Sequence, residues 1–307
     1  MSILAVGSIA FDSITTPSGR ADNVVGGSAT YFSLAASYFT DVRVVAVVGE
    51  DFAPEHESIL KKRGVDTRGI EHAKGKTFRW GGHYLENLNE AKTDFTELNV
   101  FEKFQPHIPA EYKDSEFLFL GNIHPSLQRA VRLEMDGVKL TGGDTMNYWI
   151  QGSRQELTET LKLVDVLLIN DGEARMLAGE SSVPRASRKV MDLGPRALVI
   201  KHGEYGATIF FRDGAFGLGR HPFRAPALPI EEVKDPTGAG DSFAGGFMGY
   251  IASQPQLTRE VLKRALFYGG VMGSFAVERF GTERLQNLTR DEIEARFQLF
   301  RELTHLE

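Results

Sequence analysis

The chain has 307 residues, 42% of them hydrophobic and 25% charged, the composition of an ordinary globular protein. Its formal net charge of −6 argues against a general nucleic-acid binder or a partner for anionic membranes. Without cysteine it has no disulfide, no thiolate nucleophile and no zinc-thiolate site.

No apolar run approaches the ~18 residues of a membrane span. The opening residues 1–7 lack a basic segment and read as a strand, so a cytoplasmic location is expected rather than secretion. A chain of this length and alternating pattern is expected to remain one α/β unit.

Residues 3–6 form a short apolar run stopped by Gly7, the signature of a buried first strand. Just beyond it, Asp12 falls near the strand's C-terminal end, where ligands gather in open α/β sheets. A carboxylate there can accept from two neighbouring hydroxyls, or it can simply order a turn. Gly26 and Gly27 precede a helical segment over 32–39 and let a ligand approach the backbone closely. Tyr31 follows them, an aromatic ring able to stack on a ligand or to fill space.

Residues 42–48 are β-branched and apolar, a central strand ending in Gly49-Glu50-Asp51. A helix and the turn Gly64-Val65-Asp66-Thr67 follow, and this alternation predicts a parallel sheet covered by helices on both faces. From 77 to about 99 the rhythm changes: Phe78, Trp80, Tyr84 and Leu85 surround Gly81-Gly82. These predict strands of a small separate sheet, with an edge hairpin of the main sheet as the rival.

The strand-and-turn rhythm resumes over 117–120 and 141–147, where Asp144 and Asn147 either share the ligand edge or serve turns alone. A buried strand over 164–169 leads into Asn170-Asp171-Gly172-Glu173. Asn170 and Glu173 share one face of the helix that begins there. Their oxygens suit magnesium and its waters, and the same spacing also makes a capping box. A strand over 197–200 turns through Lys201, Gly203 and Gly206 into another. Hairpin geometry alone accounts for two such glycines.

Asp235-Pro236-Thr237-Gly238-Ala239-Gly240-Asp241 then runs into a helix whose Phe243, Phe247 and Ile251 recur at four-residue spacing. A glycine turn feeding a helix start offers free N–H groups and the positive end of the dipole to an anion. Asp241 is there either as a cap or to take a proton from an attacking hydroxyl. Neither the P-loop pattern nor the dinucleotide fingerprint fits, the latter failing at Phe243. Near the C-terminus, a helix over 266–277 rich in small residues suits close helix packing or an adenine ring.

The stretch from Asp235 to Gly246 resembles the C-terminal signature of ribokinase-like (PfkB) sugar and nucleoside kinases. The resemblance extends from residue 7 to roughly residue 281 and implies a three-layer α/β/α sandwich with a central mostly parallel sheet. It implies one kinase domain over 1–307, with a small β-sheet lid from about 10–25 and 77–100 and a possible homodimer through the lid. It implies an ATP- and Mg²⁺-dependent kinase acting on a sugar hydroxyl, with a nucleoside kinase as the alternative. A non-catalytic ligand binder and a dinucleotide-dependent oxidoreductase are the remaining rivals.

By that resemblance Asp241 is the catalytic base and Gly238, Ala239 and Gly240 form the anion hole. Asp12, Gly26, Gly27 and Tyr31 bind substrate, and Lys201, Gly203, Gly206 and Thr237 border the nucleotide. Asn170 and Glu173 act on the metal. The family carries an asparagine at the position of Tyr31, which leaves the identity of the sugar or nucleoside open.

Overall fold

The computed structural model describes residues 1–304 apart from 86, 87, 89, 90, 218 and 220. Part of the lid segment expected over 77–100 therefore lies outside the described residues. The chain opens on β1 (Ser2–Val6), then leaves for a hairpin of β2 (Ala10–Thr16) and β3 (Gly19–Gly26). Helix α1 (Ser28–Ala36), β4 (Asp41–Val48), α2 (Pro54–Lys61) and β5 (Asp66–His72) return it to the main sheet. A second excursion makes β6 (Phe78–Tyr84) and β7 (Ala91–Glu97).

Next come β8 (Phe117–Leu120), α3 (Pro125–Glu134), β9 (Leu140–Gly143), α4 (Asn147–Gly152) and α5 (Arg154–Leu161). They are followed by β10 (Val166–Asn170), α6 (Asp171–Ala178), α7 (Val183–Asp192) and β11 (Ala197–Lys201). After β12 (Ala207–Phe211) and β13 (Phe223–Ala225), four helices close the chain. They are α8 (Ala239–Ala252), α9 (Arg259–Ala276), α10 (Glu283–Gln286) and α11 (Arg290–Thr304).

Nine strands form one sheet in the order β13-β12-β11-β10-β9-β8-β1-β4-β5. The seven from β11 to β5 are parallel, while β12 and β13 add antiparallel at one side. Strands buried on both faces read as unbroken apolar runs, which is why their positions are visible in the sequence. Within each run the side chains alternate: Ile3, Ala5, Val166, Leu168, Ala197 and Val199 enter one core with α1, α8 and α9. Leu4, Val6, Leu167, Ile169, Leu198 and Ile200 enter the other with α5, α6 and α7. This is the α/β/α sandwich with its lid. No helix among the described residues is long and apolar enough to cross a membrane.

The lid is a four-stranded sheet, β3-β2-β6-β7. Its hairpin is tied to the body by Thr16 Oγ1 donating to the Lys234 carbonyl at 2.8 Å and Ser18 Oγ to that of Val233 at 3.0 Å. At the other root, Thr77 donates its N–H and its hydroxyl to Asp51 Oδ1 at 2.7 and 2.6 Å. Strand β7 is exposed at every residue and forms the lid's outer edge.

Two helices differ from expectation at their starts. The helix expected over 32–39 begins at Ser28, because Gly27, at φ 91°, turns the chain directly out of β3. The one expected over 266–277 begins at Arg259, where the Thr258 side chain accepts from Val261 N–H and caps it.

Candidate active site

Helix α8 is aimed at the ligand edge by glycines that allow close crossings. A Cβ on Gly245 would stand 2.4 Å from the Phe32 carbonyl oxygen, and one on Gly249 2.9 Å from Ala36 Cα. Helices α1 and α8 can therefore meet along their backbones, which brings their two glycine-rich starts together. The small residues of α9 serve packing as well: a Cβ on Gly269 would lie 2.9 Å from the Phe243 ring.

Gly238 is the N-cap of α8, in the left-handed region at φ 72°, and no side chain caps this helix. Asp241 stands in the first turn, half-buried, so its carboxylate is not used as a cap. Of the three groups expected to form an anion hole, Ala239 N–H already donates to the Pro236 carbonyl at 3.2 Å. The N–H groups of Gly238 and Gly240 have no partner among the described residues and are the ones left for an anion.

Opposite this turn lies a cluster of charge drawn from three strand ends. Lys201, the last residue of β11, places Nζ 3.6 Å from Asp144 Oδ2, just beyond β9. A Cβ on Gly240 would be 3.0 Å from the same Nζ. Burial pushes the Asp241 carboxyl up to about 7; Asp144 adds to the rise and Lys201 opposes it. Burial, then Asp144, lifts Glu173 to about 7 as well. Burial works against the charge of Lys201, but Asp144, Glu173 and Asp241 outweigh it and raise its pKa. The cluster thus holds more carboxylates than Lys201 alone keeps charged.

The second half of the site lies under the lid. Asp12 belongs to β2 and not to a loop; it is 4% exposed, and the Gly27 N–H offsets part of the cost of burying its charge. A Cβ on Gly26 would be 1.9 Å from Asp12 Oδ2, so the double glycine is needed to seat this carboxylate. Burial, with Asp235 next, raises Asp12 to about 8. Tyr31 is 1% exposed, with its hydroxyl buried and unpartnered. Its ring is packed against Gly238, so it fills space and has no free face on which a ligand could stack.

These shifts predict a stability trend for the unliganded protein. Asp12, Glu173 and Asp241 hold protons in the folded state that the unfolded chain, with ordinary carboxyl values, has already released. The folded state therefore binds more protons, and stability falls as pH rises from 6.5 to 8. A thermal midpoint that stayed level or rose over that interval would contradict the burial described for these groups.

A pfkB family carbohydrate kinase model matches residues 2–288. The chain belongs to that family. It is a phosphotransferase whose acceptor is a hydroxyl group. The cytidine kinase of Thermococcus kodakarensis is 30% identical over 281 residues, covering 86% of this chain and 97% of the relative. The 2-dehydro-3-deoxygluconokinase of Thermoproteus tenax is 35% identical over 249 residues, covering 75% and 73%. Among solved structures, a nucleoside kinase from Burkholderia thailandensis in complex with inosine superposes with a TM-score of 0.76 at 22% identity. That match covers 97% of this chain and 98% of the other.

In this pfkB kinase Asn170 and Glu173 make a reciprocal capping box. Asn170 Oδ1 accepts from Glu173 N–H and Glu173 Oε2 from Asn170 N–H, both at 2.8 Å. The cap does not remove Glu173 from the charge cluster, whose members still act on it. Gly203 and Gly206 lie in the turn between β11 and β12, where φ values of 56° and 94° require glycine. A Cβ on Gly206 would also strike the Ala225 carbonyl at 2.1 Å. Thr237 is held by Asp235 Oδ1, which accepts its N–H at 2.8 Å.

Sequence reasoning left Asp144 between the ligand edge and a turn, and gave Asp235 no role of its own. The signal for Asp144 was its position after a Gly-Gly strand end. Those glycines are small because Met248 and Val164 pack on them. Asp235 is fully buried, and its second oxygen accepts from Gly281 N–H at 2.8 Å. Nothing local in the sequence announces that bond.

Proposed function

We propose that this chain is a nucleoside kinase that moves the γ-phosphoryl group of magnesium-bound ATP to a primary hydroxyl of its substrate. The observation that carries the substrate class is the sign of the charge beneath the lid. The ionisable groups that act on Asp12, Tyr31 and Tyr84 there are all acids: Asp12, Asp235 and Asp241, with the tyrosines themselves. Arg79, a cation on the lid, is turned to Asp51 at 3.5 Å. A sugar acid or sugar phosphate would bring charge against acidic groups that burial already drives toward their neutral forms, a cost that a neutral polyol does not carry. A ring-bearing substrate also suits the aromatic lid, and the cytidine kinase relative matches over nearly its whole length.

In this reading Asp241 accepts the hydroxyl proton as the oxygen attacks the γ-phosphorus and the bond to the β–γ bridging oxygen breaks. Gly238 and Gly240 N–H, at the positive end of α8, face the charge that builds on the transferring group. Lys201 supplies a cation that Asp144 holds beside the same turn. Asp144 and Glu173, with Asn170, present the oxygen donors that suit magnesium through water, and no closed cage of three or more such residues exists among the described ones. When bound, the ion would neutralise phosphate charge. Positioning and charge stabilisation carry most of the acceleration in such transfers.

The test is ADP release across cytidine, inosine, ribose, 2-dehydro-3-deoxygluconate and fructose 6-phosphate. A nucleoside is expected to exceed both anionic substrates in kcat/KM by about a hundredfold, the order of discrimination that one unpaired charge can impose. Preference for the sugar acid, the substrate named for the Thermoproteus relative, would overturn the assignment.

A further inference from the structure

The turn that opens α8 is held from two sides by tyrosines, neither of which is needed for charge stabilisation itself. From within the body, the Tyr31 ring supports Gly238: a Cβ there would stand 2.3 Å from Cγ and 2.4 Å from both Cδ atoms. From the lid, Tyr84, the last residue of β6, accepts a hydrogen bond from Thr237 Oγ1 at 3.1 Å. The same stretch of chain is reached by the lid hairpin, through Thr16 to Lys234 and Ser18 to Val233. Asp235, between these contacts, joins Thr237 N–H to Gly281 N–H. Both halves of the lid are thus bonded to residues 233–237, which lead into Gly238.

We infer that Tyr84 is a positioning residue: through Thr237 it fixes the Gly238–Gly240 turn, so the anion hole is fully formed only while the β6 half of the lid is seated. The inference rests on reading this turn as the site of the transferring phosphoryl group. Its physical basis is preorganisation. Backbone donors stabilise developing charge only if they need not reorganise to meet it. Gly238, held at φ 72° with no side chain of its own, is the freest residue in the turn and needs outside support to stay there. The Tyr84 hydroxyl provides that support at a distance from the reacting atoms, so ground-state nucleotide binding depends on it little.

The experiment measures binding of magnesium ADP alone and of magnesium ADP with aluminium fluoride, a mimic of the transferring group, to the full chain by calorimetry. The proteins are wild type, Tyr84→Phe, Thr237→Val, Thr237→Ser and the Tyr84→Phe/Thr237→Val double variant. Tyr84→Phe keeps the ring and its packing, and thermal midpoints check that every variant is folded. Wild type is expected to gain affinity when aluminium fluoride is added. Tyr84→Phe and Thr237→Val each lose about tenfold of that gain, a hydrogen bond's worth at a preorganised site. Tyr84→Phe keeps its affinity for ADP alone within about twofold. The double variant loses no more than either single one, since both remove the same bond, and Thr237→Ser keeps the wild-type gain. Undiminished gain in the single variants, or additive losses in the double, overturns the role of Tyr84. Absence of any gain in wild type instead removes the phosphoryl-site reading on which the inference stands.

Discussion

Asp241→Asn is expected to lower turnover by about 10² or more while ATP affinity stays within about twofold, the pattern for loss of a general base. Asparagine keeps the shape and the first-turn position of the side chain but cannot take a proton. The wild-type carboxyl, lifted to about 7 by burial and by Asp144, is placed to gain a proton near neutral pH. Turnover in wild type should therefore rise with pH through about 7 and level off, and the variant's residual rate should lack that rise. The same change relieves crowding among Asp144, Glu173 and Asp241, so above pH 7 the variant should melt at least about 2 °C higher, the shift for roughly 1 kcal/mol in a chain of this class. Steady-state rates, nucleotide titration and thermal scans at pH 6.5 and 8 check all three parts. Turnover near the wild-type level would remove Asp241 from the proton transfer.

The sheet was legible because its strands are buried on both faces. Runs such as 3–6, 117–120 and 197–200 need no partner to be recognised, since only a central parallel strand keeps so many apolar residues together. The lid was legible only in outline. Strand β7 is exposed at all seven residues, so it carries no inside-outside alternation to read. The placement of Asp12 in β2 depends on pairing with β6, far along the chain. The glycine turn was legible as a candidate anion site because a helix start is local chemistry. Which of its N–H groups stay free was not, because the Ala239–Pro236 bond depends on how the turn closes.

Tyr31 shows the limit most clearly. In sequence it is an aromatic residue near a double glycine, equally suited to stacking or to filling. The choice is made by the crossing of α1 and α8, which Gly245 and Gly249 permit and which puts Gly238 against the ring. Asn170 and Glu173 mark a different limit. The capping box is formed, and the Glu173 carboxyl that closes it still feels Asp144 and Lys201, so the cap by itself does not decide against the metal reading.

Gly238→Ala should be among the most damaging single-methyl changes in the site. Two costs act together. The left-handed backbone at φ 72° disfavours any Cβ by about 1–2 kcal/mol. The added methyl would also stand 2.3 Å from the Tyr31 ring, which is fully enclosed and has nowhere to move. Overpacking of that kind adds about 1–3 kcal/mol, so a total loss of roughly 2–5 kcal/mol is expected. Whatever shift relieves the contact also displaces the free N–H groups of the turn, and turnover should fall by about 10² or more. Gly64→Ala separates the two costs. Gly64 has nearly the same φ, 74°, with nothing within 4 Å of its added Cβ. That control should lose only the backbone share of stability and keep wild-type turnover. Denaturant unfolding of the two variants, with their rates, makes the comparison. If Gly238→Ala were no less stable and no slower than Gly64→Ala, the Tyr31 ring could not be in contact with the turn, and the structural support proposed for the anion hole would be lost.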